Sequence, residues 1–232
     1  MSLFEQDRPF LDALGAKARA ELLALGTPRD YEPGTLLLRE RSGTSYVIAI
    51  LDGWAAVTTG TERGNRLILA LRGAGAIVGE MAALDRGTRS ATVGALDRVR
   101  AVVLTGDRFR RYLAGHPAAG ELVLRQLSNR LRGADAERRA LASETVLQRL
   151  AARLVELADR TGRPGDGGTV IDLPQYDLAA AVGATREAVA KALRLLREQG
   201  VVRTAHRRLT IADPEPLRLL AAGRGEPPSP YV

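Results

Sequence analysis

The chain has 232 residues, of which 45% are hydrophobic and 4% aromatic, and it carries a formal net charge of +7; this content is enough for two modest, mainly aliphatic cores. With no cysteine and two isolated histidines, His116 and His206, disulfides, thiolate metal sites, an iron–sulfur cluster and a histidine-rich metal centre are excluded. No apolar run reaches membrane-spanning length and the opening M-S-L-F-E-Q-D-R has no charged-then-apolar leader, so a cytoplasmic protein without a membrane partner is expected, and the basic excess favours a polyanionic partner.

In chain order, two short helices are expected before Pro28, one from about Pro9 capped by Asp7 and one across A-K-A-R-A-E-L-L-A-L. The pattern then changes to short alternating or apolar pieces broken by glycines. These are T-L-L-L-R, Y-V-I-A-I, W-A-A-V-T, R-L-I-L-A-L, S-A-T-V-G-A and R-A-V-V-L, between Thr35 and Leu104. Strands so closely spaced argue for a small β-barrel or roll, with Gly34 and Gly53 at sharp turns. The string G-A-G-A-I-V-G, Gly73 to Gly79, is not a dinucleotide fingerprint, because its third glycine falls one place late and no long helix follows; it reads as a loop.

That loop leads into G-E-M-A-A-L-D-R-G-T-R-S-A-T-V, Gly79 to Val93. A glycine ahead of the apolar run M-A-A-L suits a tight loop opening into one helical turn, whose N–H groups at Gly79, Glu80 and Met81 are free to receive an anion. Glu80 offers a carboxylate to a ribose hydroxyl. Beyond the turn D-R-G-T, Arg89 and Ser90 offer a charge-assisted donor and a hydroxyl to the same phosphate. Taken singly, Arg89 also reads as a solvated strand-start residue, and Glu80 as a helix-terminus carboxylate favoured by the dipole.

From Pro117 a helical period runs to about Ser143, a rod of roughly 40 Å. Val123, Leu127, Leu131, Ala134 and Leu141 are spaced for a seam along one face, which predicts a homodimer. The alternative is that the stripe packs back on the β-roll, and a helix of this length can do both at different heights. Thr145 followed three places later by Gln148 forms a capping box that starts a new helix after a break near Ala142 to Glu144.

After the flexible loop T-G-R-P-G-D-G-G-T and the strand-like V-I-D-L-P, a helix with Leu178, Ala179 and Val182 inward ends at Gly183. A three-residue turn follows, and a second helix starts near Thr185, which is helix-turn-helix punctuation. Its polar face carries Arg186, Glu187, Ala190, Lys191 and Arg194, its apolar face Val189, Leu193 and Leu196. Seven basic residues from Arg186 to Arg208 stand against Glu187 and Glu198, so the charge excess gathers where a major groove would be read. V-V-R-T-A-H-R-R-L-T-I then predicts a two-stranded wing with a basic tip holding His206 and Arg207.

The order Gly-Glu, small helix, Arg-Ser-Ala resembles the phosphate-binding cassette of cyclic-nucleotide-binding domains, and G-A-T-R-E-A-V-A-K resembles the recognition signature of the cyclic-AMP receptor/FNR (CRP/FNR) regulators. The resemblance covers roughly residues 9 to 213. It implies an α+β chain: an N-terminal cyclic-nucleotide-binding-like β-roll over 1–115, a long dimerisation helix over 116–143, a C-terminal winged helix-turn-helix over 144–213 and a C-terminal tail over 214–232. By the same resemblance Gly79 and Glu80 meet the phosphate and the ribose 2′-hydroxyl, Arg89 and Ser90 bind the cyclic phosphate, and Met81 lies beside them. Arg186 would bond a guanine edge, Glu187 would accept from a cytosine or adenine amino group, and Lys191 would add a second basic contact. Thr185, Arg194, His206 and Arg207 complete the DNA face. Lys191 stands where the family usually has arginine, and a point charge in place of a planar fork leaves the base preference there open.

Ala134 and Asp135 occupy the two positions at which cyclic-AMP receptors carry hydroxyl residues against the adenine. Asp135 then accepts from a guanine N1–H and amino group, or from an adenine amino group, or it is a solvated carboxylate paired with Arg138, Arg139 or Arg132. Gly133 beside it either admits a ligand base or partner helix closely, or is a tolerated glycine. The expected function is a dimeric, sequence-specific transcriptional regulator of double-stranded DNA, controlled by cyclic AMP or, as second choice, cyclic GMP, with RNA polymerase as a further partner. The rival is a regulator of the same build that answers another effector or binds DNA constitutively. No nucleophile–base pair supports an enzyme, and no metal is expected.

Overall fold

The computed structural model describes residues 3–4, 8–60, 66–171, 175–205 and 208–224, so Asp7, His206 and Arg207 lie outside the described residues. By contact the chain divides into two units, one ending at Arg132 and the other beginning at Gly133.

The first unit opens with α1 (Phe10–Ala13) and α2 (Ala16–Ala24), followed by β1 (Thr27–Tyr31), β2 (Leu36–Leu38), β3 (Val47–Asp52), β4 (Ala55–Gly60), β5 (Arg66–Arg72) and β6 (Ile77–Val78). Then come α3 (Glu80–Asp85), β7 (Thr92–Ala95), β8 (Val99–Leu104) and α4 (Gly106–Gly115). The strands form two four-stranded antiparallel sheets, ordered β1-β8-β3-β6 and β2-β7-β4-β5. β3 shows how the layers arise. Its Ile48 and Ile50 join Leu37, Leu38, Val93 and Val99 between the sheets, whereas Val47 and Ala49 on its other face join Phe10, Leu22, Phe109 and Val123 from the helices. A strand buried on both faces reads as a continuous apolar run, as V-I-A-I does. β1 escapes sequence reading for the opposite reason: T-P-R-D-Y is almost wholly exposed and has no apolar pattern. It becomes a strand because β8 offers it a backbone ladder from Thr27↔Val103 to Tyr31↔Val99. α4 was not among the expected elements; Thr105 caps it by accepting the Arg108 N–H at 3.3 Å, and it buries Phe109 and Tyr112.

α5 (Pro117–Ser143) has the expected limits, and the division between units falls inside it. The five-residue stripe does not act as one seam. Val123 is buried and Leu127 packs against the same core, so this end lies on the roll. Leu124 and Leu131 are 65% and 63% exposed, and Leu141, further along the helix, is exposed as well.

In the second unit, α6 (Val146–Thr161) begins with the expected capping box: Thr145 Oγ1 accepts the Gln148 N–H at 3.2 Å and Gln148 Oε1 accepts the Thr145 N–H at 2.8 Å. The segment 161–169, expected as a flexible loop, instead supplies β9 (Arg163–Gly165) and the start of β10 (Gly168–Ile171), a hairpin turned through Gly167 at φ +79°, while Val170 and Ile171 of β10 are in the run expected as strand-like. α7 (Gln175–Val182) and α8 (Arg186–Glu198) follow, then β11 (Val202–Ala205) and β12 (Arg208–Ile211). The sheet order β11-β12-β10-β9 joins the expected wing to that hairpin. α9 (Glu215–Ala221) occupies part of the stretch assigned to the tail; its Leu217 and Leu220 are buried where it packs on α6. Leu150, Leu154, Val189, Leu193, Leu196 and Ile211 make the core. Among the described residues no helix is long and apolar enough to cross a membrane.

Candidate effector site and DNA interface

Gly79 ends β6 in the left-handed region, φ +84°, and lets Glu80 begin α3. A Cβ there would stand 2.5 Å from Arg89 Nη1 and 2.9 Å from the Tyr46 carbonyl oxygen, so both the turn and the space call for glycine. Arg89 is 3% exposed. Its Nη1 donates to the Gly79 carbonyl at 2.7 Å, its Nη2 to the Tyr46 carbonyl at 2.5 Å and its Nε to Thr44 Oγ1 at 3.0 Å. The guanidinium carbon lies 4.8 Å from the centroid of the Tyr46 ring, a cation–π contact. Burial draws the Arg89 pKa below its ordinary value, while Tyr46 and Glu80 pull it up; a guanidinium stays charged through such a shift. Of its five N–H donors, three are taken by acceptors among the described residues.

Glu80 is buried and ion-paired with Arg130 of α5. Met81 is exposed, with Sδ 3.9 Å from Ser90 Oγ, which is exposed as well. Gly79, Glu80, Met81, Arg89 and Ser90 thus come together as their sequence order suggested. A buried cation, a hydroxyl and a carboxylate on one turn suit a phosphodiester anion attached to a ribose. Sequence reading missed Arg130, Tyr46 and Thr44. A signal existed for Arg130: it follows Val123 by seven and Leu127 by three, on the stripe that packs on the roll, where a charge needs a partner.

Ala134 and Asp135 belong to the second unit. Ala134 is exposed, and Asp135 Oδ1 accepts from Arg138 Nη1 at 2.9 Å, the solvated pairing among the three readings. A Cβ at Gly133 would meet nothing within 4 Å in this chain.

In the helix-turn-helix, Gly183 at φ +65° closes α7, with the Ala184 N–H donating to the Ala179 carbonyl at 3.3 Å in a Schellman pattern. Thr185 Oγ1 then accepts the Ala188 N–H at 3.2 Å and starts α8. α8 buries Val189, Ala192, Leu193 and Leu196, leaving Thr185, Arg186, Glu187, Ala190, Lys191 and Arg194 exposed. Hydrogen bonds from its own backbone N–H and from the Thr185 hydroxyl hold the Glu187 carboxyl below the usual carboxylate range, so it is an acceptor at neutral pH.

A β-roll with a nucleotide-type cassette, followed by a long helix and a winged helix-turn-helix, is the build of a DNA-binding protein that carries a cyclic-nucleotide-type domain. Residues 28–116 match the Cyclic nucleotide-binding domain family and residues 148–220 the Crp-like helix-turn-helix domain family. The chain is 30% identical over 192 residues to the CRP-like cAMP-activated global transcriptional regulator of Mycobacterium tuberculosis, covering 82% of this chain and 86% of that one. It is 32% identical over 160 residues to the Cyclic AMP receptor protein of Thermus thermophilus, covering 69% and 72%. A CRP/FNR-family regulator from the same organism shares the fold at a TM-score of 0.70 and 27% identity, over 86% of this chain and all of that one (100%). The global regulator CLP of Xanthomonas campestris, at 0.78 and 21%, over 86% and 100%, adds support for the fold. The chain belongs to the CRP/FNR family of DNA-binding transcriptional regulators.

Proposed function

We propose that the chain works as a homodimer whose β-roll takes cyclic AMP, with cyclic GMP as second choice, and whose two α8 helices read successive major grooves of a palindromic site about 34 Å apart. The observation that carries the effector reading is the buried Arg89, held by three protein acceptors beside Gly79 and Ser90. In this reading Arg89 and Ser90 hold the cyclic phosphate, Gly79 and Met81 line it, and Glu80, steadied by Arg130, takes the ribose 2′-hydroxyl. Exposed Leu124, Leu131 and Leu141 supply the dimer face, since covering exposed leucines with a partner's apolar surface is favourable. Arg186, Glu187 and Lys191 read bases, while Thr185, Arg194, His206 and Arg207 position the backbone. RNA polymerase is the partner of the DNA-bound dimer, and the nucleotide leaves the site chemically unchanged.

A second reading, a regulator that answers another effector or binds DNA constitutively, draws on one observation. Neither position expected to face the base offers a hydroxyl, and Asp135 is engaged with Arg138.

Calorimetric titration of the purified chain with cyclic AMP and, separately, cyclic GMP tests the first reading, with Arg89→Leu as control. Saturable binding by the wild type and a loss of at least tenfold in Arg89→Leu are expected, because a buried charge-assisted pair is removed. Arg89→Leu binding as tightly as the wild type would overturn the cassette assignment; silence from both nucleotides would favour the second reading.

A further inference from the structure

We propose that Arg153 is a positioning residue for DNA recognition: it joins the end of α5 to the C-terminus of α7 and thereby sets the tilt of α8. Arg153 is 2% exposed, too deep to reach a phosphate itself. Its Nε donates to the Ala181 carbonyl at 2.9 Å, its Nη1 to Glu156 Oε2 at 2.7 Å, and its Nη2 lies 3.7 Å from Glu137 Oε1. Arg149, one turn earlier on α6, donates Nε to the Val182 carbonyl at 3.2 Å and Nη1 to the Glu144 carbonyl at 2.7 Å. The two arginines take the last carbonyls of α7, where a helix leaves acceptors unpaired and its dipole favours a cation.

A buried guanidinium is costly unless carboxylates and acceptors surround it. Glu156 sits on the same helix as Arg153, so that pair lies within one element. Glu137 comes from α5, so the Glu137–Arg153 pair is a side-chain link between that helix and the DNA-reading motif, beside the one Arg149 makes from the Glu144 carbonyl. Burial pushes the Glu137 carboxyl above the usual range and Arg153 pulls it back. α7 passes into α8 within three residues, through Gly183 and Thr185, so a change in the tilt of α7 reaches Arg186 and Glu187 almost undamped. Base-edge contacts need close placement, whereas flexible side chains meet phosphates over a wider range of positions. Loss of the tie therefore costs sequence preference before it costs overall affinity.

The test uses the full chain as wild type, Glu137→Gln and Arg153→Lys. The probes are a duplex selected by the wild type from a random library and a scrambled duplex of the same length, with thermal melting alongside. Glu137→Gln is expected to melt close to the wild type, to bind the scrambled duplex equally well and to lose roughly tenfold on the selected one. Arg153→Lys loses at least as much, because lysine lacks the fork that reaches carbonyl and carboxylate together. An unchanged ratio of the two Kd values in Glu137→Gln overturns the proposal, and this partly exposed side chain keeps the test open even where Arg153→Lys fails to fold. A wild type with no sequence preference overturns the DNA-reading assignment and this inference together; a preference kept by the variants overturns this inference alone.

Discussion

His116 stacks on Tyr112, ring centroids 4.2 Å apart, with Nδ1 2.9 Å from the Tyr112 carbonyl oxygen and Nε2 2.7 Å from Glu21 Oε2. Both neighbours only accept, so the form that satisfies them is the doubly donating imidazolium. The backbone carbonyl first and Glu21 second raise the His116 pKa above the ordinary histidine value. A raised folded-state pKa stabilises the fold fully below the unfolded value, and that contribution is lost as pH rises through the folded value. The thermal midpoint of the wild type is therefore expected to fall as pH is raised across this window, and His116→Gln to flatten that part of the profile. An unchanged slope in His116→Gln would assign the pH dependence to other groups. In sequence His116 is an isolated histidine; its acceptor, Glu21, lies 95 positions away and becomes a neighbour only through packing.

At the scale of elements, α5 carries the clearest departure from helix propensity. Gly133 lies where the contact units divide, and its missing side chain leaves open space. Gly133→Ala is expected to stabilise the chain by roughly 1 kcal/mol, the helix-propensity difference, read as a higher thermal midpoint with the oligomeric state kept. Dissociation of Gly133→Ala would instead show that a second helix approaches that surface. Elements announced by local chemistry were legible beforehand: the Thr145–Gln148 capping box, the Gly183 stop and the helix start near Thr185 all appear as expected. Those signals are complete within a few residues. β9 and the turn into β10 look like loop in sequence because the hairpin's pairing partner, β12, is some forty residues on and no local alternation advertises it; only Val170 and Ile171 of β10 carry a strand signal.

For the whole molecule, the proposed homodimer would link dimerisation to DNA binding, because one protomer offers one α8 and a palindromic site asks for two. Leu124→Glu with Leu131→Glu places charges on the outward apolar face without entering the core. The double variant is expected to sediment as a monomer, to keep its thermal transition and to lose affinity for a palindromic duplex at least tenfold while binding a half-site as the wild type does. A dimer that survives both charges would move the interface elsewhere on the chain.

Sequence alone determined the two-module plan, the limits of α5, the left-handed turn at Gly79 that opens α3 and the exposed face of α8. Each is written in a short-range code of left-handed glycines, caps and helical period, which needs no knowledge of distant partners. Tertiary structure decided the rest. It paired Glu80 with Arg130, fifty positions on, and turned the polar T-P-R-D-Y into β1 by laying it along β8. It also sent Val123 inward while Leu124 stayed out, and closed Glu137 and Arg153 over the end of α7. Those outcomes depend on which buried charge finds which partner and which backbone edge is left to pair, and both are settled when segments far apart in the chain share one core.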